Sequence, residues 1–67
     1  MPSDQEKFFE KLYQECYIPL LRRAKRELGD PFLAQDVTQA TYQAAWRRLD
    51  KVMAHENPEA WLGKVLG

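Results

Sequence analysis

Asp36, Gln39 and Gln43 recur at spacings of three and four in the middle of the chain, with Gln35 beside them. On a helix, residues so spaced share one face. The chemistry on offer is recognition: the amides donate and accept and desolvate more cheaply than charges, while the carboxylate accepts from a cation or an amide. A solvated helix face is ordinarily richer in Lys and Glu. Tyr42 and Trp46 flank the stripe, and aromatic rings beside hydrogen-bonding groups are favoured at binding surfaces. The same residues also suit a plain polar face with both aromatics tucked into the core, and composition alone leaves both readings open.

Cations form two groups, Arg22, Arg23, Lys25 and Arg26, then Arg47, Arg48 and Lys51. Arg22, Arg23, Arg26, Arg47 and Arg48 are candidate phosphate contacts. Each group also closes an expected helix, where cations complement the helix dipole, just as Asp4, Glu6, Glu10 and Glu15 suit the first half of the first helix. Catalysis finds little support. General acid or base work needs convergent titratable groups, and the sole histidine, His55, lies in a polar stretch without a Ser or Cys motif. Gly29, Gly63 and Gly67 are isolated and form no phosphate-cradling loop. No enzyme and no cofactor is expected. Cys16, the single cysteine, permits neither an intramolecular disulfide nor a zinc site of paired cysteines, and its place in an apolar row predicts a buried thiol. Trp46 and Trp61, each among apolar helical neighbours, read as core anchors.

The chain that must hold these groups has 67 residues, enough for one small domain with a thin core. Ten Lys or Arg balance ten Asp or Glu, which argues against nucleic-acid binding by bulk attraction. A hydrophobic content of 45% is too high for disorder. No apolar run approaches the roughly 18 residues that span a bilayer, and the N-terminal segment lacks a signal-peptide pattern, so a soluble, cytoplasmic protein with no membrane partner is expected.

Ser3-Asp4-Gln5-Glu6 has the form of a capping box and should open a helix near Asp4. Phe8, Leu12, Cys16, Leu20, Ala24 and Leu28 then make one apolar row and Phe9, Tyr13, Tyr17 and Leu21 a second, with Gly29 as the C-terminal cap. Four-residue steps advance about 40° each, so the long row sweeps round the helix, and Pro19 in its middle predicts a kink or break that re-aims it. Asp30-Pro31 starts a second helix running to about residue 50. Its buried side is expected to hold Leu33, Val37, Ala40, Thr41, Ala44, Ala45 and Leu49, opposite a stripe of Gln35, Asp36, Gln39, Gln43, Arg47 and Asp50. Residues 50–56 read as a connection into which the second helix can fray. Asn57-Pro58-Glu59 opens a third helix over about 58–66, short and ending in an apolar run. The expected architecture is all-α, a small bundle of three helices over about 4–28, 31–50 and 58–66, forming one domain across 1–67 that reads as truncated. Trp61, Leu62, Val65 and Leu66 should leave apolar area uncovered, favouring a two-fold homodimer through the third and first helices.

Asp36-Val37-Thr38-Gln39-Ala40-Thr41-Tyr42, then Ala45-Trp46-Arg47, then Asn57-Pro58-Glu59-Ala60-Trp61-Leu62, resemble the second conserved region of bacterial sigma factors, nearest to the extracytoplasmic-function group. Gly29-Asp30-Pro31 and the first-helix aromatics fit as well, so the resemblance covers about Phe8 to Leu66. It implies a domain that docks on the clamp helices of the RNA polymerase β′ subunit and supports transcription initiation, with the docking surface on Asp36, Gln39 and Gln43. The sequence departs from the pattern at Ala40, where the family usually has an acid, and at Gly63 and Gly67, where it has larger residues. The promoter-reading helix would lie mostly beyond Gly67, so promoter DNA is expected as a partner only of a longer protein. The alternative is a helical interaction module on a sigma scaffold, which binds itself or an anti-sigma factor without promoter activity.

Overall fold

In the computed structural model, residues 3–67 are described and form four helices: α1 (Asp4–Leu28), α2 (Pro31–Arg47), α3 (Leu49–Ala54) and α4 (Pro58–Leu66). Met1 and Pro2, part of the N-terminal segment read for a signal peptide, lie outside the described residues. The chain is an all-helical small bundle.

The helix starts are written in side chains. Ser3 Oγ accepts from the Glu6 N–H at 3.2 Å, Asp30 Oδ1 from Phe32 and Leu33 at 2.9 and 3.2 Å, and Asn57 Oδ1 from Ala60 at 3.3 Å. Pro31 and Pro58 occupy first helical positions, where the missing N–H costs nothing. Gly29 ends α1 at φ 68°, its N–H donating to the Lys25 carbonyl at 2.8 Å. A side chain there would strain the left-handed backbone, so this glycine makes the reversal between α1 and α2.

Three expectations need refinement or correction. First, of the kink or break expected at Pro19, the break does not occur: α1 is one continuous helix from Asp4 to Leu28. Pro19 and Glu15, whose carbonyl loses its donor, are both exposed, so water can replace the missing bond. The sweeping apolar row is accommodated by a change of partners. Leu12, Cys16 and Leu20 join Tyr42, Ala45, Leu49, Val52 and Leu62 in the main core, while Leu21 and Ala24 pack with Ala34 in a second cluster. Leu28, at the end of the row, turns out to solvent at 41% exposure.

Second, α2 ends at Arg47 rather than near residue 50. Arg48 departs from helical geometry (φ −122°, ψ 36°) while its N–H still reaches the Ala44 carbonyl at 3.1 Å, and α3 follows within the stretch read as a connection. The turn brings Leu49 and Val52, 5% and 0% exposed, into the core beneath α4.

Third, the buried face of α2 is rotated from the expected one. Ala34, Thr38, Thr41, Tyr42 and Ala45 are buried, Val37 and Ala44 are partly buried, and Leu33 and Ala40 are exposed. Thr38 and Thr41 enter the core because their hydroxyls donate to the Ala34 and Val37 carbonyls at 2.7 and 2.8 Å, which removes most of the cost of burying them. Ala24, Ala34 and Ala45, each essentially solvent-free, allow α1 and α2 to approach closely.

The last helix is also better covered than its apolar run suggested. Leu62 is fully buried, Gly63 is buried, Trp61 and Leu66 are partly buried, and Val65 stays open. The more exposed apolar corner lies where α1 meets α2, at Leu28, Phe32 and Leu33.

Candidate functional site

The stripe on α2 stands clear of the core. Gln35, Asp36, Gln39, Gln43 and Arg47 are all exposed, and so is Asp50 at the start of α3. Because the buried face of α2 passes through Thr38, Tyr42 and Ala45, the positions Asp36, Gln39 and Gln43 point away from it. Among the described residues no ion pair or side-chain hydrogen bond engages Asp36, so its carboxylate is available to a partner. Ala40 lies exposed in the same patch and offers only a methyl group there.

Beside the amides runs a groove between α1 and α2, about 480 Å³ in volume, walled by Phe9, Tyr13, Tyr42 and Trp46 with Gln39, Gln43 and Arg47 along its polar side. Its floor is a connected set of rings. Tyr42 is buried and contacts Phe9 edge-on at 6.0 Å and Tyr13 at 4.7 Å between centroids; Tyr13 stacks on Tyr17 at 4.8 Å. Burial pushes the Tyr42 hydroxyl far above the ordinary phenol range, so it stays protonated and donates, at 3.5 Å, to the Leu12 carbonyl. Gln39 Nε2 donates to the Tyr13 hydroxyl at 3.1 Å, which ties the stripe to the first helix. Trp46 meets Phe9 edge-on at 5.1 Å yet keeps 50% of its surface exposed. The two aromatics flanking the stripe therefore divide, Tyr42 as core and Trp46 as accessible surface, contrary to the reading of Trp46 as a core anchor. Phe9 and Tyr13 wall the groove, a role that spacing alone does not mark, although both belong to an apolar row on α1.

The candidate phosphate contacts scatter. Arg22 and Arg26 lie exposed with Lys25 and Pro19 around a shallow hollow on the outside of α1. Arg23 turns inward over α4: its Nε pairs with Glu27 Oε1 at 3.2 Å, and its guanidinium covers Gly63. Arg47 borders the aromatic groove, and Arg48 sits exposed at the bend between α2 and α3. The five do not make one surface. Cys16 is buried as expected, and its thiol is pushed above the usual range by burial first, then by the Glu59 and Glu15 carboxylates. His55 Nδ1 accepts from the Asn57 N–H at 3.0 Å and so helps shape the entry to α4.

The family description sigma-70 region 2 matches residues 12–66. The chain belongs to the sigma-70 region 2 family. This region acts in transcription initiation, binds core RNA polymerase and is not an enzyme. No curated protein and no solved structure matches the chain. Within the region 2 domain, the match spans the part of α1 that carries the core, all of α2 with its exposed stripe, and the Asn57-Pro58 start of α4. No helix among its described residues is long and apolar enough to cross a membrane.

Proposed function

We propose that this region 2 domain docks on the clamp helices of the polymerase β′ subunit through Asp36, Gln39 and Gln43, as part of a sigma factor of the extracytoplasmic-function type acting in the cytoplasm. The observation that carries this reading is the exposure of those three groups on one face of α2, beside an aromatic groove. A helix laid along the stripe would meet an acceptor at Asp36, two amides, and the ring of Trp46. Aromatics next to hydrogen-bonding groups supply much of the energy at small interfaces. Promoter recognition is no part of this reading: with a formal net charge of zero the chain has no bulk attraction for DNA phosphates.

A pull-down with a β′ clamp-helix fragment tests the proposal. Retention of the wild-type chain, with loss of retention for Asp36→Ala/Gln39→Ala, is the expected result. Equal retention of a folded double variant would remove the stripe from the interface.

The exposed corner of Leu28, Phe32 and Leu33 favours a second reading, in which the scaffold binds another copy of itself or an anti-sigma factor. In that case retention on clamp helices would be absent, and where the occupant is a second copy, sedimentation equilibrium would show a concentration-dependent mass that Phe32→Ser abolishes.

A further inference from the structure

Trp46 is the least settled large ring on the docking side of the molecule. It is half exposed, it makes a T-shaped contact with Phe9, and it borders two hollows of different chemistry. Toward the stripe lies the groove bordered by Tyr13, Gln39, Gln43 and Arg47. On the other side is a hollow formed by Glu6, Phe9, Glu10 and Trp46 alone.

Glu6 and Glu10 are one turn apart on α1, with Phe9 between them, and both are exposed. Like charges so spaced repel. Among the described residues neither carboxylate forms an ion pair, and Glu10 accepts only a long 3.5 Å hydrogen bond from Gln14. Two carboxylates bordering the same hollow as an indole and a phenyl ring suit a cationic side chain, which can be held by charge and by the rings together. A guanidinium fits better than an ammonium, because it is planar, stacks on rings and grips carboxylates with paired N–H groups.

We propose that the Glu6, Glu10 and Trp46 corner receives an arginine side chain of the docked partner helix, while Arg47 and Gln43, across Trp46, meet an acceptor on the same helix. The inference rests on docking along Asp36, Gln39 and Gln43, since Trp46 is the wall that joins that groove to this corner. The occupant is thus a basic helical segment carrying opposite polarity on the two sides of one indole. The acids of the N-terminal half of α1, which serve the helix dipole, gain a second role as recognition groups.

The experiment is a titration of the full chain with a β′ clamp-helix fragment at several salt concentrations. Wild type, Glu6→Gln/Glu10→Gln and Asp36→Ala/Gln39→Ala are compared, each checked for wild-type helicity. The glutamine pair keeps shape and removes charge, and should weaken binding about tenfold and flatten its salt dependence. Lysine at both positions should weaken it further. If the glutamine pair binds as wild type, with the same salt dependence, while Asp36→Ala/Gln39→Ala binds weakly, the arginine site is overturned and docking along the stripe stands. If the glutamine pair alone is weakened, docking along the stripe is overturned, and with it the proposal as stated, because the corner is reached through that groove. Absence of binding by wild type overturns both.

Discussion

Gly63 stands on α4 facing Arg23, and replacing it with alanine sets two effects of opposite sign against each other. Alanine in a helix interior is favoured over glycine by about 0.8–1.0 kcal/mol, a gain that is smaller where a helix end frays. Against it, the new Cβ would lie 2.6 Å from Arg23 Nη1, so that atom must move; the next nearest atom, Arg23 Cζ, is already at 3.9 Å. No backbone atom is in the way. The Arg23 side chain is 42% exposed and its ion pair with Glu27, itself 49% exposed, is of a class worth about 0–1 kcal/mol. A guanidinium so placed can swing outward at a cost no greater than that pair. Gly63→Ala is therefore expected to leave stability unchanged or raise it by up to about 1 kcal/mol, which in a domain of this size moves Tm by up to roughly 4–8 °C. Urea unfolding followed by circular dichroism measures the difference. In an Arg23→Ala background the obstruction is gone and the full propensity gain should appear, so the double-mutant cycle isolates the collision. A loss of more than about 1 kcal/mol for Gly63→Ala alone would show that Arg23 is held over α4 more firmly than its exposure implies.

Three further outcomes follow from the geometry. Leu62→Ala should cost about 2–5 kcal/mol, against a total stability of roughly 3–10 kcal/mol for 67 residues, so the thermal midpoint should fall by roughly 8–40 °C; a cooperative melt within a few degrees of wild type would mean that α4 contributes little to the core. Gly29→Ala should lose about 1–2 kcal/mol because its φ of 68° is disfavoured for any side chain, and an unchanged urea midpoint would show that the turn can rearrange. The native fold holds the Cys16 and Tyr42 protons more tightly than the unfolded chain does, so stability should be intact at neutral pH and fall as pH rises above about 9, where the unfolded thiol and phenol ionise; a urea midpoint that rises in that range would contradict the sign.

Much of this fold could be read from residue types because its helix boundaries are made by local chemistry. Ser3, Asp30-Pro31, Asn57-Pro58 and Gly29 act within three or four residues of themselves, and each cap stands where the pattern placed it. The bend at Arg48 carries no such mark. It is imposed by the burial of Leu49 and Val52 against α4, a long-range demand that propensity does not register. The buried face of α2 departs from the apolar pattern for a related reason: Leu33 and Ala40 are apolar yet exposed, whereas Thr38 reaches zero exposure because its hydroxyl bonds to its own helix. The stripe of Asp36, Gln39 and Gln43 was legible from spacing alone, since a face with no core role shows only its polarity. The groove beside it was not, because it depends on which residues of α1 come to lie across from Trp46, and that is fixed by packing between two helices.

Trp46 also offers the most direct measurement of where a partner docks. The chain has two tryptophans, so Trp61→Phe leaves Trp46 as the sole indole reporter, half exposed at the edge of the groove. Titrating this variant with a β′ clamp-helix fragment should shift its emission to the blue as the ring leaves water, saturating at the same fragment concentration as calorimetric binding, and Asp36→Ala/Gln39→Ala should move both curves together to higher concentration. Calorimetric binding with no change in the Trp46 emission would place the partner elsewhere on the domain and contradict docking along this face of α2.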